Sequence, residues 1–137
     1  MRVFFDSSAF VKRYVREDGT DAVLLWCEQA TELCLSAIAL PEIISAFCRL
    51  EREKRVSRLQ YRHLKTMLMA DISDAAICDL TPEVVRHSVI SLENNVLRGM
   101  DAIHLGSALA LSADIFVSAD ARQCAAAERA GMRVVQV

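Results

Sequence analysis

Five short apolar runs, set apart by longer stretches of helical pattern, fix what this chain can fold into. RVFFD at 2–6, residues 33–37, residues 76–80, IFVS at 115–118 and RVVQV at 133–137 each have the length of a strand. Strands alternating with helices imply a parallel sheet covered by helices on both faces. Right-handed crossovers then bring the C-terminal ends of all strands to one edge. In an open α/β sheet that edge is the ligand crevice.

The intervening segments carry helix signals. Ser7 or Ser8 caps a helix expected through about Val15. Residues 20–30 read as a helix with Leu24, Leu25 and Trp26 on its apolar side. Pro41 suits a first helical turn, and that helix is expected to reach about Lys54. Ser57 caps the next, to about Ala70, and Thr81-Pro82-Glu83 opens another. Gly99 interrupts the chain before a helix at Met100–Leu111, and an alanine-rich helix at 121–130 is stopped by Gly131.

At 137 residues and 53% hydrophobic, the chain suits a single domain, 1–137, with a proper core. No apolar run is long enough to span a membrane. The strand pattern begins at once, so a signal peptide is not expected and cytoplasmic residence is. Cys27, Cys34, Cys48, Cys78 and Cys124 form no C-x-x-C pair and lie in apolar surroundings, which reads as buried thiols of a reducing compartment. The net charge of −2 conceals a basic hairpin, Arg49–Lys65. Seven Lys or Arg stand there against two Glu, a local +7 − 2 = +5. Arg55, Arg58 and Arg62 are its candidate RNA contacts; a solvated face and an acidic partner segment are the other readings.

Four acids stand at element junctions: Asp6 after the first strand, Glu42 after Pro41, Asp101 at a helix start and Asp120 after IFVSA. Each alone is explained by helix capping or the helix dipole. Together on one sheet edge they would repel one another or hold a hard divalent cation such as Mg²⁺. Arg98, three residues before Asp101, suits a carboxylate or a phosphate. His104 shares a helix face with Asp101 and reads as a structural hydrogen-bonder.

The stretches FFDSSAFVKRY, LPEI, LRGMDAIHLGSAL and FVSADARQCAAAERAGMRV occur in the order found in the PIN domain family, and the chain resembles its VapC-like toxin ribonucleases over its whole length. The resemblance implies a three-layer sandwich with a five-stranded parallel sheet. It implies that Asp6, Glu42, Asp101 and Asp120 are the acidic site, with Ser8 and Ser118 as supporting hydroxyls. It implies one or two Mg²⁺ or Mn²⁺ ions, with Asp6 and Asp101 as primary ligands and Glu42 and Asp120 acting through water or a second ion. The implied function is a Mg²⁺-dependent endoribonuclease, the toxin of a type II toxin–antitoxin pair, dimeric and held by a cognate antitoxin. A metal-activated water would cut the RNA phosphodiester in line. A receiver domain would need a lysine after the last strands, and the lysines are only Lys12, Lys54 and Lys65. A haloacid-dehalogenase phosphatase would need D-x-D where Ser8 stands. The remaining rival is an inactive PIN-like module that grips RNA or a partner.

Overall fold

The computed structural model describes residues 1–137. The elements run β1 (Arg2–Phe5), α1 (Ser7–Phe10), a 3₁₀ turn (Val11–Arg13), α2 (Thr20–Gln29), β2 (Glu32–Ser36), α3 (Ala39–Arg52), α4 (Arg58–Asp74), β3 (Ala76–Cys78), α5 (Pro82–Asn94), α6 (Gly99–Ala110), β4 (Ile115–Ser118), α7 (Ala121–Arg129) and β5 (Arg133–Gln136). The five strands form one parallel sheet in the order β3-β2-β1-β4-β5. The expected α/β sandwich with its five-stranded parallel sheet is therefore present.

Strand β1 lies between β2 and β4, where the chain reverses its direction of winding; this is the switch point at which α/β sheets open a crevice. Its alternation feeds both faces. Val3 and Phe5 join Phe10, Val23, Leu35, Ile43, Phe47, Leu68 and Val117 on the side of α1–α4. Phe4 joins Cys34, Leu105, Ala108, Phe116 and Ala126 on the side of α6 and α7. A strand buried on both faces needs an unbroken apolar run, which is why RVFF shows no polar alternation. On the second side α6 and α5 pack closely at Gly106. A Cβ there would stand 2.5 Å from Ser88 Oγ and 2.7 Å from the Val84 carbonyl oxygen.

Several boundaries differ from the sequence reading. The helix expected to reach Val15 stops at Phe10 and tightens into the 3₁₀ turn. At the end of that turn Arg13 Nε, and one residue on Tyr14 Oη, donate to Asp71 Oδ2 of α4 at 2.8 and 2.5 Å, which turns the chain toward α4. Helix α4 runs four residues past Ala70, because Asp71 serves as that anchor and Ile72 packs on the core. On α2 the buried apolar residue is Val23, whereas Leu25 is exposed. Successive helical residues are about 100° apart, so Leu24, Leu25 and Trp26 cannot share one face. Strand β3 ends at Cys78 and leaves Leu80 in solvent. Gly99 is the first residue of α6 rather than an interruption before it. The five cysteines are free, and Cys34, Cys78 and Cys124 are buried. No helix is long and apolar enough to cross a membrane.

Candidate active site

Asp6 leaves β1 with its backbone N–H bonded to the Val117 carbonyl, so the sheet ladder fixes its position. Its side chain is 2% exposed. Oδ1 accepts from the Ala9 N–H at 2.9 Å, which makes Asp6 the cap of α1, and Oδ2 accepts from Ser118 Oγ at 2.6 Å. The Ser8 hydroxyl is shared between the two oxygens at 2.8 and 2.9 Å. Ser8 in turn accepts the Ala119 N–H, and Ser118 accepts the Asp120 N–H. The cap of α1 is thus Asp6 and not Ser7 or Ser8, which stand inside the helix, and the same carboxylate is tied to Ser8 and Ser118. Burial pushes the Asp6 carboxyl above its ordinary range, opposed by the Ser118 hydrogen bond. No Lys or Arg pairs with it.

Glu42, in the first turn of α3, lines a neighbouring recess with Ile38, Pro41, Ser45 and Met100. Its Oε1 accepts from Ser7 Oγ at 2.8 Å and meets His104 Nε2 of α6 at 2.5 Å. Burial works to raise this carboxyl, but the bonds from His104 and Ser7 more than offset it, and its pKa lies below the ordinary value. His104 is 2% exposed, stands edge-on to Phe4, and its Nδ1 is buried without a hydrogen-bond partner.

Asp101, in the first turn of α6, is half-buried. Burial raises its carboxyl, and the negative charges of Asp120 and, more weakly, Glu42 raise it further. Asp101 and Asp120 line one crevice of about 580 Å³ together with Val96, Leu97, Arg98 and Arg122. Asp120 caps α7 through Oδ1, which accepts the N–H groups of Arg122 and Gln123 at 2.8 and 3.0 Å. Its Oδ2 makes no hydrogen bond within the protein. Arg98 and Arg122 flank this crevice without an acidic partner.

Two residues complete the site beyond the sequence reading. Gln123 is buried; its Nε2 donates to the Asp101 carbonyl at 2.8 Å and its Oε1 accepts from Ser118 Oγ at 3.3 Å, joining α6, α7 and β4. The signal for it was the spacing Asp120-x-x-Gln123, a cap followed by Gln at the third helical position. Ser7 is the other, in its role toward Glu42.

The basic hairpin is not part of this crevice. Arg58 pairs with Glu51 at 3.2 Å and lies over the Tyr61 ring at 5.3 Å, and Arg55 stands 4.0 Å from Glu53. Arg62 lines a separate, largely apolar groove of about 730 Å³ with Tyr14, Val15, Arg16, Val56 and Leu59.

The donor set suits a hard divalent ion. It is made of carboxylates and hydroxyls, and its most buried member has no cationic partner, a condition that buried charge does not tolerate without metal, proton or ion pair. No three His, Cys, Asp or Glu side chains converge tightly enough to cage an ion by themselves. Mg²⁺ as a rule keeps several waters and takes one or two carboxylates.

Residues 3–129 match the family model described as PIN domain. Ribonuclease VapC49 of Mycobacterium tuberculosis is 33% identical over 137 residues, covering 96% of this chain and 93% of that protein. Ribonuclease VapC46 of the same species is 29% identical over 136 residues, covering 97% and 95%. Among solved structures, FitAcB from Neisseria gonorrhoeae superposes with a TM-score of 0.71 at 14% identity, covering 98% of this chain and 96% of that one. VapC20 of M. tuberculosis, a sarcin-ricin loop cleaving toxin, superposes at 0.68 and 14%, covering 98% and 99%.

Proposed function

The chain belongs to the PIN domain family, and on that premise we propose that it is a divalent-metal-dependent endoribonuclease, the toxin of a type II toxin–antitoxin pair. The observation that carries this reading is the buried Asp6 carboxylate at the sheet's switch point, tied through Ser118 to the turn that carries Asp120, while Asp120 and Asp101 line one crevice and no basic residue pairs with any of the three. Similarity to ribonucleases of the VapC group supports RNA as substrate.

Asp6 and Asp101 would be the primary holders of Mg²⁺ or Mn²⁺, and Glu42 and Asp120 would complete its surroundings through water or a second ion. When bound, the ion would supply acidity to a water and shield the leaving oxygen. The protein's own groups do the rest. Ser118 and Ser8 orient the Asp6 oxygens. Gln123 fixes the start of α6 against β4, and so positions Asp101. Arg98 and Arg122 hold phosphates of the RNA strand beside the acids, as planar guanidiniums suit phosphate oxygens. Val96, almost fully exposed, offers an apolar wall for a base.

The groove beside Arg16 and Arg62 suits an amphipathic, acidic segment of the cognate antitoxin better than it suits RNA, because most of its exposed lining is apolar and two arginines stand in it. A second copy of the chain fits the exposed face of α5, where Val85, Val89 and Leu92 follow one another at spacings of four and three.

The test is cleavage of mixed-sequence single-stranded RNA by partner-free protein. EDTA should abolish it, and Mg²⁺ or Mn²⁺ should restore it with 5′-phosphate products. Full cleavage in EDTA sinks the metal reading; RNA binding without cleavage under every metal condition supports an inactive gripping module.

A further inference from the structure

We propose that His104 is a positioning residue that aims the Glu42 carboxylate into the site, with Ser7 as its second hold. The inference rests on the reading of Glu42 as part of the catalytic site. It goes beyond that reading by saying how a glutamate on α3 acquires a fixed direction from α6.

Both donors reach the same atom. Ser7 Oγ and His104 Nε2 lie 2.8 and 2.5 Å from Glu42 Oε1, and Oε2 makes no hydrogen bond within the protein. A glutamate side chain with one oxygen held from two elements loses most of its rotamer freedom. The second oxygen is then presented outward in one direction.

The tautomer follows from the surroundings. His104 Nδ1 is sealed from solvent and has no acceptor. A proton there would be a buried donor with nothing to bond, which costs the full desolvation penalty of an N–H group. A ring proton therefore belongs on Nε2, the one nitrogen with a carboxylate in reach. The ring cannot swing away, because Phe4 packs edge-on against it at 6.4 Å and the side chain is buried. The burial of Nδ1 away from any partner thus serves to commit the ring's proton to Glu42. Second-sphere donors of this kind orient ligands and set their basicity.

The decisive measurements separate this assignment from the functional reading. Nitrogen-15 NMR of histidine-labelled, metal-free protein should show His104 protonated on Nε2, with that signal displaced in Glu42→Gln. A proton on Nδ1 overturns the proposal, whether or not the protein cuts RNA. Next, Mn²⁺ alone is titrated into wild type, His104→Gln and His104→Asn, and kcat and KM are measured on mixed-sequence single-stranded RNA. Gln places its amide N–H where Nε2 stands, and Asn falls short of it. His104→Asn should lose about 10–100-fold in kcat or Mn²⁺ affinity with KM for RNA nearly unchanged, and His104→Gln should recover most of that loss. Melting curves on all proteins control for folding, and Ser7→Ala should give a smaller loss of the same kind. Folded Asn and Gln variants that behave alike, or that both match wild type, overturn the proposal. A wild type that neither binds Mn²⁺ nor cuts RNA removes the functional reading and leaves the NMR result to decide the role of His104.

Discussion

At Glu42 and Asp120 every hydrogen bond gathers on one carboxylate oxygen, and at Asp6 both oxygens are engaged. The difference sets what each substitution should do. Asp6→Asn keeps an oxygen for the Ala9 N–H and keeps the side chain's volume, so the cap survives. Its charge is lost, and RNA cleavage should fall by more than about 100-fold, beyond the range usual for second-sphere changes. In EDTA the variant should melt above wild type, since it no longer buries an unpaired carboxylate. Added Mg²⁺ should raise the melting temperature of wild type and leave the variant unmoved. A variant that cuts RNA at the wild-type rate would reduce Asp6 to a cap.

Between elements, the clasp from the 3₁₀ turn to α4 is the clearest case of long-range contact overriding local pattern. Burial tends to raise the Asp71 carboxyl, but Arg13 and Tyr14 outweigh it and hold its pKa below the ordinary value. A folded pKa below the unfolded one means stability that is present above the ordinary carboxylate range and is lost as pH falls through the folded value. Asp71→Asn should cost roughly 1–3 kcal/mol at neutral pH, and its deficit should shrink as both proteins are taken to low pH in thermal melts. A constant deficit at all pH values would assign the effect to packing. The same clasp explains why the sequence could not place the end of α1. Arg13 and Asp71 are separated by 58 positions, and local propensity carries no trace of their meeting. The strands were legible because burial on both sheet faces demands apolar runs, and Ser57, Thr81 and Pro82 marked helix starts because caps are local. Of the site, the four acids were legible as acids at element junctions. The bond from His104 to Glu42 spans 62 positions and could not be read, nor could the place of Gln123 between Asp101 and Ser118.

For the molecule as a whole, the proposed role makes a prediction in the cell. Expression of the wild-type chain should arrest growth of a bacterial host, and co-expression of its antitoxin should relieve the arrest. Asp101→Ala, at matched protein level, should permit growth and still bind the antitoxin if the apolar groove beside Arg62 is the docking surface, since that groove and the crevice share no residue. Equal arrest by both proteins would assign toxicity to binding rather than to hydrolysis. At the same scale, replacing Arg98 and Arg122 together by Gln should lower RNA affinity and reduce its dependence on salt by about two phosphate contacts. An unchanged salt slope would place the RNA backbone elsewhere.

On the proposed role, the position of β1 in the sheet also governs when the molecule would become dangerous. Its neighbours are β2 and β4, so one of its edges is paired early and the other waits for residues 115–118. A nascent chain that has emerged from the ribosome as far as α6 holds Asp6, Glu42 and Asp101, but has no Ser118 to grip Asp6 and no Asp120. Its β1 edge is still open, and Phe4 lacks the Phe116 ring that stacks on it at 5.7 Å. Closing that edge is a contact of long sequence separation, the kind that forms late and slowly. The order of synthesis therefore withholds the complete acidic crevice until β4 docks. On the proposed role, a growing chain on the ribosome, surrounded by RNA, would be spared its own activity during that interval.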